Sequence, residues 1–400
     1  MPAPDQKLHV VEFIILIALM TSIVAMATDV MLPALNEIGT DFGLTVDNDA
    51  QFVVSAFFLG LAVGQIFVGP LSDSFGRKPI IYLGYGVFFA GCLISILTTN
   101  WTLMLLGRVL QGLGAASPRI VSMALVRDEY EGRSMAQILS VVGAVFILVP
   151  VIAPAIGQGM IYLGGWRATF FAIMVPGLLA LVWFWKRQPE TLAPANRRVF
   201  SLGNIWGGLK EIAHTRAAVG YTIATGMMFG MFLGYLSSAE QIFRVTYDVG
   251  DLFVLYFAIA SLSLGAASLV NASLVMKLGM RKLTNVSLIV LTGLSAVLLF
   301  ILWVQPDGIS LTIFMGWLLL VFFCIGIIFG NLNALAMEPL GHMAGLGAAF
   351  VGALSTFMSL PFAWLIGHQF DGTIIPLVTG FFLLGALSLA MMIWTDRAQT

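Results

Sequence analysis

Residues 69–80 read GPLSDSFGRKPI. Asp73, Arg77 and Lys78 fall between two long apolar runs, 50–69 and 79–98, in a polar stretch too short for anything but a tight hairpin between two helices. Gly69 and Gly76 permit close backbone approach there, and Pro79 suits the first turn of the helix that follows. Asp73 is placed to cap a neighbouring helix N-terminus, and Arg77 to pair with an acid of the next polar connection, Asp128 or Glu129. A plainer reading makes Arg77 and Lys78 anchors that hold one side of a membrane segment.

The composition around this hairpin supports a membrane setting. Of 400 residues, 59% are hydrophobic and 10% charged, against about 25% charged in ordinary soluble chains. A soluble enzyme is excluded, and a net charge of −1 offers nothing to nucleic acid. Cys92 and Cys324 lie far apart in separate apolar segments and read as small buried hydrophobes, neither a disulfide nor a metal site. A helix needs about 20 apolar residues to cross a bilayer. Twelve such runs recur, near 10–33, 50–69, 79–98, 101–123, 135–159, 166–186, 217–238, 251–275, 283–303, 310–333, 343–366 and 374–395. Spanning β-strands would be about 10 residues long and alternating, which these are not. Lys7, an apolar core and "AMA" at 25–27 outline a signal peptide, but the run continues to Pro33 past that cleavage point, so it is read as a retained helix. The expected fold class is an all-α polytopic membrane protein.

Threading the runs back and forth places Lys7, Arg77, Lys78, Arg127, Arg133, Lys186, Arg187, Arg197, Arg198, Lys210, Arg216, Lys277, Arg281, Lys282 and Arg397 on one side. Only Arg167 and Arg244 fall on the other. The positive side is cytoplasmic, so both termini are expected inside. The longest connection divides the chain into an amino-terminal half (1–186), a linker (187–216) and a carboxy-terminal half (217–400), each half with six runs. The linker opens with the polar "KRQPETLAPANRR". It then sets Leu202, Ile205, Trp206, Leu209 and Ile212 at helical spacing, which fits either a short interfacial helix or a partly ordered loop. "SLVMKLGMRKL" echoes the hairpin in the second half, with Gly279 aligned on Gly76 and Met276 opposite Asp73. Two six-helix halves with an echoed loop point to a secondary transporter built from repeats, binding its substrate between the halves.

One acid breaks the first run. Asp29, in "SIVAMATDVMLPAL" (22–35), costs roughly 2.5–3.5 kcal/mol on insertion scales if central. It lies roughly 6–9 Å below the outer surface, and Arg108 of the fourth run lies at about the same depth, near 10 Å. Such a carboxylate can carry a proton through a transport cycle, with the nearby Arg108 guanidinium coupled to it and helping the proton to leave; the alternative is a structural ion pair with Arg108. Gln111 shares the face of Arg108. In the seventh run, Met227, Met228 and Met231 beside Phe229 and Phe232 form a candidate adaptable wall, although packing explains any one of them as well. Asn331 and Asn333 are polar within a span and cannot both face the same way, so one is expected to line a cavity and the other to bond a neighbouring helix. His9, His214, His342 and His368 are scattered, and no H-E-x-x-H, G-x-S-x-G or P-loop motif occurs, so an embedded enzyme or an ATP site has no support.

Several strings carry a family resemblance. "GPLSDSFGRKP" resembles the loop signature of the major facilitator superfamily, and "RVLQGLGAA" (108–116) resembles its fourth-helix signature. "DVMLPAL" (29–35) is similar to the first-helix signature of its twelve-helix drug:proton antiporters. With "VRDEYEGR", "VPVIAP", "GWRATF" and "PET", the amino-terminal half looks like the bicyclomycin/chloramphenicol-resistance branch. The fifth-helix signature departs: "APAIGQ" (153–158) has Ala153 and Gln158 for glycines, while Pro154, Gly157 and, one turn earlier, Pro150 remain to bend the helix. The resemblance implies twelve transmembrane helices in two six-helix halves and proton-coupled export of small, partly apolar organic compounds by alternating access. It also implies protons as the coupling ion with no other cofactor, and a small-molecule substrate and lipid as partners. The chain would act as a monomer in the bacterial cytoplasmic membrane. A transporter of one native metabolite on the same fold is the alternative.

Overall fold

The computed structural model describes residues 8–197, 200–305 and 308–397. Lys7 and Arg198 lie outside these residues, as do the side chains of Asp47, Arg133, Leu202, Ile205 and His342. Among the described residues, eleven helices are long and apolar enough to cross a membrane. One of them belongs to the 56-residue element Gly132–Arg187, which leaves helical geometry at Gly164 (φ −164°) and Gly165 (φ 69°). That break makes it two helices, so the spans number twelve. They are α1 (Val10–Asp29), α2 (Phe52–Phe75), α3 (Arg77–Leu97), α4 (Trp101–Glu129), α5 (132–163), α6 (166–187), α7 (Arg216–Gln241), α8 (Phe253–Leu278), α9 (Met280–Val304), α10 (Leu311–Met337), α11 (Ala344–His368) and α12 (Ile375–Asp396). Helices are the natural outcome for such sequences, because lipid offers the backbone no hydrogen-bond partners.

By contact the chain divides into Met1–Ile38 with Ala56–Ile205, and Gly39–Ser55 with Trp206–Thr400. The second unit thus takes in the connection between α1 and α2. The 187–216 linker is shared, and its apolar part forms the helix Leu202–His214, with Ile212 buried and Trp206 71% exposed.

In the first unit α1 packs on α4 and on the α5–α6 element, and α3 packs on α4. In the second, α7 packs on α10, α11 and α12, and α9 packs on α10. The same partnerships recur six helices later, which makes α7 the counterpart of α1. The loop echo holds in the backbone too: Gly76 (φ 104°, ψ 161°) and Gly279 (φ 79°, ψ 152°) both occupy the glycine-favouring region immediately before α3 and α9.

Candidate functional site

α1 stops at Asp29. A turn and the 3-10 segment Leu32–Ala34 follow, with Pro33 unable to donate into a continuing helix, before the short helix Leu35–Asp41. The run read as continuous over 10–33 does continue, within one apolar helical stretch Val10–Asp41 with Val30 and Met31 at helical dihedrals. Its hydrogen bonding changes from the α to the 3-10 pattern just after its one central acid. Asp29 is 4% exposed, and its Oδ1 lies 3.2 Å from the Thr28 hydroxyl, which also reaches the Val24 and Ala25 carbonyls. Among the described residues Asp29 forms no ion pair. The turn after Asp29 is packed from the side by α5, since a Cβ at Gly157 would stand 2.1 Å from the Val30 carbonyl oxygen. Dihedrals stay helical through Pro150, Pro154 and Gly157; the departure comes at Gly164–Gly165. Gly157 thus contributes close packing, whereas the large change of direction belongs to the glycine pair.

Arg108 is fully buried in α4. Its Nη2 donates to the Ala27 carbonyl at 3.0 Å and its Nη1 to Gln111 Oε1 at 2.6 Å, while the guanidinium lies 4.9 Å from the Phe57 ring centroid. Gln111 Nε2 donates to Ser95 Oγ of α3 at 3.0 Å. A polar chain of Ser95, Gln111 and Arg108 therefore crosses from α3 to the backbone of α1, two residues before Asp29. The sequence groups Arg108 with Gln111 by helical spacing; Ser95 adds a partner that only the fold reveals. Gln111 is fully buried in this chain.

At the other end of α4 the 69–80 hairpin is a network. Arg77 donates to Asp73 Oδ1 at 2.5 Å, to Ser72 Oγ at 2.9 Å and to both Asp128 oxygens at 2.9 and 3.3 Å. Asp73 thus holds Arg77. The cap on α3 comes instead from Glu190 of "PET", whose two carboxylate oxygens each accept a backbone N–H, from Arg77 and from Lys78, at 2.9 Å. A carboxylate suits this place because the first N–H groups of a helix have no partner within it. Lys78 Nζ reaches the Gln188 carbonyl at 2.7 Å. Asp128, the acid expected for Arg77, is the one used, while Glu129 accepts from the Gln188 amide. Of the two hairpin glycines only Gly76 is demanded, by its positive φ; a Cβ at Gly69 would meet no atom within 4 Å. Close approach at Gly69 is therefore corrected. Glu12 near the start of α1 is held by Trp183 and by both oxygens' contacts with Arg187.

In the second unit Met227 is 9% exposed and Met231 is fully buried, so neither presents an open wall. The half-buried side chains on α7 include Phe229 and Phe232, stacked at 6.3 Å, with Phe229 against Phe329 and Phe232 against Phe322 of α10. Asn331 makes a reciprocal amide pair with Asn271 of α8, at 3.1 and 3.0 Å, whereas the Asn333 amide donates to the Phe329 carbonyl in its own helix. Of the two, Asn331 is the one that bonds a neighbouring helix. Asn271 escaped the sequence reading because a lone amide in an apolar run has no partner visible in sequence.

A family model described as Major Facilitator Superfamily matches residues 17–363. Curated relatives include the bicyclomycin resistance protein homolog of Haemophilus influenzae, 28% identical over 361 residues covering 88% of this chain and 87% of that one. Multidrug resistance protein D of Escherichia coli is 26% identical over 366 residues, covering 87% and 86%. Among solved structures, a D-xylose–proton symporter superposes with a TM-score of 0.76 at 15% identity, covering 96% of this chain and 97% of that one. The human organic anion transporter gives 0.71 at 16%, covering 96% and 100%. The chain belongs to the Major Facilitator Superfamily and is a multi-pass membrane transporter of small molecules, not an enzyme.

Proposed function

We propose that this transporter exports small, partly apolar organic compounds in exchange for protons, by alternating access, with Asp29 as the proton carrier. The observation that carries the reading is Asp29 itself: a buried carboxylate without a cationic partner among the described residues, where α1 passes into a 3-10 turn, beside an arginine anchored on the same helix. A purely structural acid would be cheaper to replace by a neutral residue. The names of the relatives, bicyclomycin resistance and multidrug resistance, support the substrate class. The half-buried phenylalanines of α7 and α10 suit partly apolar cargo. The positive-inside bias supports both termini in the cytoplasm, and the bacterial relatives support the cytoplasmic membrane. Protons are the coupling ion, no other cofactor is required, and one chain is the working unit.

The test is transport in proteoliposomes, with and without an imposed pH gradient, across a panel that includes chloramphenicol and bicyclomycin. Accumulation that follows the gradient in the wild type, and is lost in Asp29→Asn with folding retained, is the expected result. Gradient-driven transport by Asp29→Asn at the wild-type rate overturns the assignment.

A further inference from the structure

Coupling through Asp29 uses the first unit alone. Among the described residues one other acid is buried: Glu240, 4% exposed, the penultimate residue of α7. Its position repeats that of Asp29. α7 is the counterpart of α1 by its packing partners, and both acids sit at the far end of their helix. The helical hydrogen bonding changes register shortly after each, to the 3-10 segment Leu32–Ala34 beyond Asp29 and to the π turn Ile242–Thr246 beyond Glu240. Glu240 also lies on the stripe Phe229, Phe232, Leu236, Glu240, spaced three, four and four residues apart along one helix face. It stands about 12 Å beyond Phe232 at the helical rise.

Its charge environment is unusual. Arg244 Nε lies 3.2 Å from Glu240 Oε1, yet the N–H is not aligned on that oxygen, which has no hydrogen-bond donor. Arg244 Nη2 also lies 3.8 Å from Asp251, which is 66% exposed at the side chain. One guanidinium therefore faces two carboxylates, one buried and one in water. The segment between them contains two residues of positive φ, Asp248 (49°) and Gly250 (55°). Single π turns are common at functional sites. Among the described residues the other titratable groups at this end are Asp49 on the 47–51 connection packed on α11, Tyr247, Asp248, Tyr256 of α8, His368 of α11 and Asp371, and none forms an ion pair with Glu240. The first turns of α10 and α12 carry no titratable side chain.

We propose that Glu240 is a second proton-carrying carboxylate, the counterpart of Asp29 in the second half, and that Arg244 passes between Glu240 and Asp251 as the proton binds and leaves. When Arg244 turns to Asp251, the buried carboxylate accepts a proton and becomes a neutral acid, avoiding an isolated charge away from water. When Arg244 returns, the proton leaves and the ion pair re-forms. The inference rests on the proton-coupled reading above but is tested without any substrate.

The experiment is infrared difference spectroscopy of the full-length protein in lipid nanodiscs, titrated with protons across the neutral range. The wild type is expected to show two buried carboxylic-acid bands, of which Asp29→Asn removes one and Glu240→Gln the other. Asp251→Asn deprives Arg244 of its second carboxylate and is expected to reduce the Glu240 band at least twofold over the same pH interval. Asp248→Asn leaves the spectrum unchanged, since Asn accepts the left-handed conformation. A wild type with no pH-dependent carboxyl band sinks the coupling reading itself. A Glu240→Gln spectrum identical to wild type overturns only the Glu240 assignment. If Glu240→Gln does not fold, the Asp251→Asn band decides, and an undiminished band overturns the proposal.

Discussion

Arg108 engages α1 through its backbone: Nη2 donates to the Ala27 carbonyl at 3.0 Å, while the carboxylate of Asp29 rests on the Thr28 hydroxyl. The arginine therefore fixes the helix that carries the acid, and the acid keeps its protonation independent of a permanent salt bridge. Arg108→Ala would leave the Ala27 carbonyl and Gln111 Oε1 buried without these donors, each costing about 1–3 kcal/mol. The expected outcome is a lower unfolding temperature in detergent together with impaired transport. Arg108→Lys, which keeps the charge but loses the fork, should recover part of the stability. A full recovery of both properties in Arg108→Lys would mean that only the charge matters.

Gly157 and Gly69 make a paired test of where close approach is required. An alanine at 157 would drive its Cβ to 2.1 Å from the Val30 carbonyl, so α5 or the turn after Asp29 must shift. An alanine at 69 meets open space inside α2, where it also favours the helix by about 1 kcal/mol. Gly157→Ala is expected to reduce transport at least tenfold, and Gly69→Ala to leave it unchanged, both measured in the same vesicles. Equal, small effects would remove Gly157 from the support of Asp29.

These contrasts show what sequence alone could carry. The twelve spans were readable because lipid demands long apolar helices, and the Arg77–Asp128 contact because opposite charges stood in adjacent connections. Asp29 stood out as an acid in an apolar run. The passage from α to 3-10 hydrogen bonding after it did not, because Val30, Met31 and Leu32 remain apolar and only Pro33 marks the turn. Glu190 shows in the sequence only as part of "PET": its partners are backbone N–H groups 112 and 113 residues away, which no side-chain pattern encodes. The chemistry of Met231 suits an adaptable wall, yet its place on the helix buries it while Phe229 and Phe232 stay half-buried.

The Glu190 cap separates a structural role from a mobile one. Glu190→Gln retains one acceptor but loses the charge at the N-terminus of α3, worth about 0.3–1 kcal/mol at a partly exposed site. Asp73→Asn instead weakens one of three acceptors on Arg77. Glu190→Gln is expected to lower thermal stability slightly with little effect on rate. Asp73→Asn is expected to slow transport severalfold while substrate binding in detergent is retained. If Asp73→Asn leaves both rate and binding unaltered, the hairpin serves as an anchor only.

The connection docked on the second unit is held by neutral amides. Asn48 Nδ2 donates to the His368 and Phe370 carbonyls at 2.9 and 3.1 Å, Gln241 Nε2 to Asn48 Oδ1 at 2.9 Å, and Gln51 Nε2 to Gln241 Oε1 and the Gly367 carbonyl at 2.8 and 3.2 Å. Gly367 has to be glycine for this to form, because a Cβ would stand 1.9 Å from Gln51 Oε1. Truncating Gln51 removes two of these bonds, about 1–2 kcal/mol net, which corresponds to roughly tenfold more frequent local opening. Hydrogen exchange over residues 47–51 should therefore quicken by about that factor in Gln51→Ala and likewise in Gly367→Ala. Because no side chain that bonds within the clasp ionises, His368 taking part only through its carbonyl, the acceleration should be the same at pH 6 and pH 8 once the intrinsic exchange rate is corrected. An acceleration that vanished at one of these pH values would show that a titrating neighbour, with the Glu240–Arg244 pair next along the chain, governs the docking in place of the amides.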